Sequence, residues 1–269
     1  NASALSISQL VFFRNVIGLA LVTLLVLKYT TVQQRRLTAT AFKLHLGRNT
    51  SHFMGQWCWF YGLSILPLAQ VFAIEFTVPI WTAFFASILL SETITWRRTV
   101  AIVMGFAGVL LILRPGFLVI PDAAWVVLVG AIAYALSHTL TKKLSGQGSA
   151  LLVIFYMHVM QLPLALLFVS FDFAWPEGIN WLYVAITAVA AMTAHFCMTK
   201  ALSHGDAMIV MPMDFLRLPL IAIIGVILYS ESIDMWLFLG ASIMLAGNLL
   251  ALKEKPVVRL EKAPPSANS

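Results

Sequence analysis

CWFYGLSILPLAQVFAIEFTVPIWTAFFASILLSETITWRRTVAIVMGFAGVLLIL, residues 58–113, returns 139 positions later as CMTKALSHGDAMIVMPMDFLRLPLIAIIGVILYSESIDMWLFLGASIMLAGNLLAL, residues 197–252. The two stretches align without a gap, and 16 of the 56 positions are identical. Among the matches are Cys58/Cys197, Ser64/Ser203, Phe76/Phe215, Gly108/Gly247 and the adjacent pairs Ser91/Ser230 and Glu92/Glu231. Glu75 falls on Asp214, an acid on an acid inside two apolar runs. Apolar bias raises chance matches between hydrophobic segments but does not place acids in register, so the pattern reads as an internal duplication.

Outward from that duplication, the chain of 269 residues is 61% hydrophobic and 10% charged. A soluble domain carries about 25% charged residues, so the composition points to a polytopic membrane protein. Nine apolar runs are long enough to span: about 10–27, 49–66, 68–90, 95–113, 123–140, 150–171, 179–199, 207–229 and 235–252. Beyond Lys253 come Pro256, Pro264, Pro265 and mixed charges, the composition of a disordered tail. The two cysteines have no CxxC neighbour and read as small buried hydrophobes.

The shift of 139 lays each of the last four runs on one of the first four, and projects the run at 123–140 to before and around residue 1. The expected parent therefore has ten helices in two repeats, residues 1–114 without their first helix and 123–252, with 253–269 as a cytoplasmic tail. A natural nine-helix protein is the alternative. Five helices per repeat is an odd number, so the second repeat inserts inverted. The fold class expected is an all-α polytopic membrane protein of two inverted five-helix repeats. Charge follows the same alternation. Lys28, Arg35, Arg36, Lys43 and Arg48 are read as sharing one loop. Arg97, Arg98, Lys142, Lys143, Lys200, Lys253, Lys255, Arg259 and Lys262 fall on that side, while the other side holds Arg114 and the acids Asp122, Asp172, Glu177, Glu231 and Asp234. The positive-inside rule makes the basic side, and the C-terminus, cytoplasmic.

Charges at bilayer depth cost roughly 2.5–3.5 kcal/mol each by insertion scales and need a reason. Glu75 lies ~12 Å into its run at 1.5 Å per residue, Asp214 lies equally deep from the opposite face, and Arg217 follows Asp214 by one turn. Arg14 stands nearer the outer end of the first run, where it could also snorkel. Gln56 aligns with His195 on the paired runs, with His52 one turn before Gln56 and His138, His158 and Gln161 elsewhere. The candidates for a substrate or coupling site are thus Arg14, Gln56, Glu75, His195, Asp214 and Arg217. The alternative is an ion-pair and hydrogen-bond set that only fixes helix packing. Glu75 is the better candidate for carrying a coupling proton, because Asp214 has an arginine one turn away. Pro79, Pro163, Pro212 and Pro219 interrupt runs, as helices beside a cavity tolerate. Ala101, Gly105 and Gly108 form a smooth face for packing. Trp57, Trp59, Phe60, Tyr61, Phe76 and Trp81 read either as bilayer-facing or as an aromatic pocket. No metal-ligand spacing, GxxxxGK[ST], nucleophile elbow or HExxH occurs, so no metal, cofactor or nucleotide-driven engine is expected.

The segments LSILPLAQVFAIEFTVPIWTAFFASILLSETITWRR (63–98) and GFAGVLLILRPG (105–116) resemble the EamA-type module of the drug/metabolite transporter superfamily. KALSHGDAMIVMPMDFLRLPLIAIIGVILYSESID (200–234) with GASIMLAGNLLALKEK (240–255) resembles its second copy. The "SE" before each module's last helix and the "MDFLR" stretch are the most specific pieces. The resemblance implies ten helices with both termini inside, a central cavity, and transport of small organic solutes such as amino acids, nucleoside-like metabolites and drugs. The function expected is a secondary transporter of an amino-acid-like or related metabolite in a bacterial inner membrane, working by alternating access as an exporter. The alternatives are a non-transporting membrane scaffold or sensor and a lipid-acting membrane enzyme; the expected answer on enzyme activity is no. The partners expected are a small-molecule substrate, membrane lipid, protons as coupling ion and a second copy in a homodimer, with no nucleic acid.

Overall fold

The computed structural model describes residues 5–66, 68–113, 121–146, 148–169, 173, 175–217 and 235–252, and every regular element among them is helical. In order these are α1 (Ile7–Tyr29), α2 (Ala39–Ile65), α3 (Leu68–Glu75), α4 (Val78–Leu89), α5 (Trp96–Leu113), α6 (Asp122–Ser145), α7 (Ala150–Phe168), α8 (Asn180–His204), α9 (Ala207–Val210) running into a 3₁₀ segment Met211–Leu216, and α10 (Met235–Leu252). By length and composition α1, α6, α7 and α8 can each cross a membrane. The chain is thus an all-α polytopic membrane protein. Arg114, Asp172, Pro219, Glu231, Asp234 and the tail from Lys253 lie outside the described residues.

Three sequence expectations change. Helix α2 starts at Ala39, capped by the Thr38 side chain, so Lys43 and Arg48 belong to a helix and not to a loop. Its first turns are too polar to register as part of an apolar run. Arg48 is buried, donating to the Thr141 hydroxyl of α6 at 3.1 Å and to the Asn49 side chain at 2.7 Å. The run at 68–90 is two helices, broken at Phe76 and Thr77. Cys197 is exposed on α8 and Cys58 only partly covered, against the expectation that both are buried. An apolar environment for a thiol can be lipid as well as protein.

Small residues set the closest helix pairs. α2 lies on α6 where a Cβ on Gly55 would stand 3.0 Å from the Gly130 carbonyl, and where Cys58 covers Gly130. α5 lies on α10 in a contact that repeats itself: a Cβ on Gly108 would stand 2.7 Å from the Gly240 carbonyl, and one on Gly247 would stand 3.1 Å from the Ala101 carbonyl. Ala101 and Gly240, like Gly108 and Gly247, are 139 positions apart. Each contact is therefore the image of the other, as in the isologous interface of a two-fold dimer. α1 and α7, also related by the shift, pack together with Gly18 under the His158 ring. α8 is the most open of the long helices, with only Val184, Ala188, Thr199 and Leu202 buried.

Candidate functional site

Two irregular segments frame the middle of the bundle. Pro79 is the second residue of α4 and has no N–H to give the Glu75 carbonyl, which weakens the helix where it breaks at residues 76 and 77, whereas Pro163 sits inside the continuous α7. The Thr77 hydroxyl donates to the Ile74 carbonyl at 2.7 Å, which also accepts the Thr77 N–H at 3.0 Å. In the second half Pro212 likewise withholds a donor from Met208, and the chain tightens into the 3₁₀ segment that carries Asp214. Irregular backbone at membrane depth is tolerated where it borders a cavity. The cavity here is about 320 Å³, and both segments line it.

All six sequence candidates line this cavity: Arg14 from α1, Gln56 from α2, Glu75 at the first break, His195 from α8, and Asp214 with Arg217 at the second. His52 and His138 join them. His158 and Gln161 do not; His158 bonds to Asn15 at 3.0 Å and Gln161 to His52 at 2.9 Å, tying α7 to α1 and α2. The acids and Arg217 form one cluster. Arg217 donates to Glu75 at 2.8 Å and lies 3.2 Å from Asp214, and the Trp59 indole N–H donates to the other oxygen of Glu75 at 2.8 Å. The guanidinium also lies 5.6 Å from the ring centres of Phe72 and Phe76. Phe76 packs against Phe215 at 5.7 Å, so two aligned pairs, Glu75/Asp214 and Phe76/Phe215, meet at one place. The ring of His52 stands 4.8 Å from that of His195, and Tyr134 stacks on His138 at 6.2 Å.

This geometry alters one inference. Glu75 was expected to be the acid without an arginine. It holds Arg217 more closely, at 2.8 Å, than Asp214 does, at 3.2 Å. Asp214 is thereby the less encumbered of the two acids. The aromatic run does not form one pocket: Trp59 serves Glu75, Phe76 meets Phe215, Trp57 packs on Phe53 and Phe168, and Tyr61 is exposed.

Sequence reading missed Tyr134, Val78, Met198 and Met211 in the cavity wall, since nothing marks them among many similar residues. It also missed a polar knot at the basic end of the bundle. The Glu92 carboxylate accepts the backbone N–H groups of Ala207 at 2.9 Å and Met208 at 3.1 Å, capping α9 from the other half of the chain. Buried Arg98 donates to Asp206 at 2.6 Å, and Lys142 donates to the carbonyls of Leu202 and Gly205, each at 2.8 Å, at the end of α8. Ser91 sets Glu92 in place from a left-handed backbone, φ 54°. That conformation costs a non-glycine residue roughly 1–2 kcal/mol.

The sequence matches the EamA-like transporter family over residues 2–114 and again over 123–253. It is 28% identical over 210 residues to the S-adenosylmethionine uptake transporter of Rickettsia felis, covering 78% of this chain and 71% of that protein. It is 28% identical over 221 residues to the riboflavin transporter of Rhizobium johnstonii (82% and 72% covered), and 29% identical over 233 residues to that of Vibrio cholerae (84% and 77% covered). A protein crystal structure superposes with a TM-score of 0.78 over 94% of this chain and 90% of that one, at 16% identity, a likeness of fold. Two matched segments spanning nearly the whole length place the chain in a family of transporters rather than enzymes: it belongs to the EamA-like transporter family.

Proposed function

We propose that this transporter is a secondary carrier that binds its solute in the central cavity and exposes it to each side of the membrane in turn. The observation that supports this is the convergence of Arg14, Glu75, Asp214 and Arg217, drawn from both halves of the chain, on one cavity bordered by two interrupted helices. Interrupted helices at a repeat interface are where alternating-access carriers hold their solutes. The solute is a small organic metabolite of amino-acid-like or related chemistry, and protons are the coupling ion. Export is the direction expected from sequence. Uptake is the second reading, favoured by the names of the Rickettsia relatives. Counterflow in proteoliposomes tests the carrier: unlabelled solute inside should accelerate entry of the same labelled solute, across a panel of amino acids, S-adenosylmethionine and riboflavin. If no solute shows trans-stimulation in either insertion orientation, the carrier reading is wrong.

The same reading puts the basic end in the cytoplasm of a bacterial cell. A reporter fused after Lys255 should read cytoplasmic and one inserted near Glu177 external; a C-terminus on the outside overturns this orientation.

A further inference from the structure

A second, smaller hollow lies between α1, α7 and α8. Val22 and Leu25 of α1, Leu151 and Ile154 of α7, and Met192 and Phe196 of α8 line it, and it measures about 180 Å³. Pockets that take drug-sized solutes are about 300–1,000 Å³ and carry a few placed polar groups. Here, among the described residues, only Thr193 brings a polar side chain to the wall. Thr193 is exposed, so the slot is open at the bundle surface, where the neighbours of a membrane helix are lipid tails.

The slot has a charged end. α1 and α8 run side by side in the same direction: Phe13 meets Trp181 with 5.6 Å between ring centres, and further on Val22 shares a cluster with Met192 and Phe196. Lys28 follows Leu25 by three residues and Lys200 follows Phe196 by four. Each lysine therefore stands one turn beyond the slot, on the helix face that lines it. Both are exposed. α7 starts at the same end, Leu151 being its second residue, and turns the positive end of its dipole there. Asp206, the acid nearest Lys200 along the chain, is held by Arg98 at 2.6 Å. Hydrocarbon in the slot and positive charge at its end match the two parts of an anionic lipid. A free phosphate would meet the lysines and leave the slot unfilled; a zwitterionic lipid would fill the slot and bring no net charge to the lysines.

We propose that the slot between α1, α7 and α8 seats an acyl chain of an anionic glycerophospholipid, with its phosphate held between Lys28 and Lys200. The inference goes beyond the carrier reading and stands without it. It bears on the central cavity through α8. That helix buries few residues against protein, and its Ala194, His195 and Met198 line the cavity. Lipid in the slot braces from outside the helix that walls the cavity from inside.

The test titrates the full-length protein in detergent with phosphatidylglycerol and with phosphatidylcholine of the same acyl chains, and reads the first bound lipid by native mass spectrometry. Phosphatidylglycerol is expected to bind more tightly, and the difference to shrink as salt is raised. Lys28→Gln and Lys200→Gln should each weaken phosphatidylglycerol by about fivefold, and together by about 25-fold, closing the gap to phosphatidylcholine. Thr193→Trp, which puts an indole into the slot, should weaken both lipids. Glycerol phosphate, the headgroup chemistry without the chains, should not displace phosphatidylglycerol. Equal binding of the two lipids by the parent overturns the proposal, as does a preference for phosphatidylglycerol that survives the loss of both lysines. Parent-like lipid binding by Thr193→Trp overturns it by placing the chain elsewhere. Displacement by glycerol phosphate at the concentration of the lipid overturns it by making the lysines a free-phosphate site. If the double variant cannot be purified, the two single lysine variants and the comparison of lipids on the parent decide.

Discussion

Arg217→Gln is expected to abolish transport and to lower the stability of the purified protein. The substitution leaves Glu75 and Asp214 facing one another across the cavity without the cation both now contact. Breaking a fully buried ion pair costs about 3–5 kcal/mol. Here the Arg217 side chain is 40% exposed to the cavity, so screening reduces the loss to roughly 1–3 kcal/mol. Removing a second charge should give some of that back: Arg217→Gln with Glu75→Gln is expected to melt higher than Arg217→Gln alone, while still failing to transport. Among single changes Glu75→Gln should do more damage than Asp214→Asn. Glu75 holds Arg217 and the Trp59 indole, both at 2.8 Å, whereas Asp214 meets Arg217 at 3.2 Å. Thermal melts in detergent and counterflow across pH 5 to 8 check the series. Parent-like transport by Arg217→Gln would show the cluster to be structural padding.

Gly108→Val should impair folding more than any change in the cavity. The new Cβ would lie 2.7 Å from the Gly240 carbonyl and 2.5 Å from the Met244 side chain. Met244 is flexible and can move, but a backbone carbonyl moves only with its helix, so α5 and α10 must separate. Overpacking of this kind costs typically 1–3 kcal/mol and more where backbone has to shift. The expected outcome is a fall in Tm and a drop in the monodisperse fraction on size exclusion. Gly247→Val should behave alike but more mildly, its nearest backbone atom being the Ala101 carbonyl at 3.1 Å. A melting curve for Gly108→Val that overlays the parent would mean the two helices are not packed as described.

Much of the architecture could be read from residues because membrane helices announce themselves by length and apolarity, and because aligned acids mark a shared centre. Glu75, Asp214 and Arg217 were visible for that reason: charge is rare in these runs. The breaks at 76–77 and around Pro212 were visible only as prolines, since a proline marks a bend but does not say whether the helix stops. The burial of Arg48 and the capping role of Glu92 were hidden by the same logic that found the others. Near the ends of apolar runs charge is common, so a buried arginine and a carboxylate capping a helix 115 residues away look like ordinary loop charges. Arg14 was visible as a charge, but its place in the cavity wall beside His52 and His195 is a fact about neighbours in space.

The knot at the basic end has a consequence for timing. Glu92 occupies two backbone donors, Lys142 two carbonyls and Arg98 a carboxylate, all joining segments distant in sequence. Glu92 is buried, so parting it from the two N–H groups leaves a desolvated charge behind, at a penalty of about 1–3 kcal/mol or more. They are therefore expected to part together, with water entering as they go. An end of the bundle fastened in this way does not breathe by degrees. If the carrier proposed above works by opening this end, it is expected to stay shut through many small fluctuations and then open as a single rare event, whose waiting time sets the pace of each cycle.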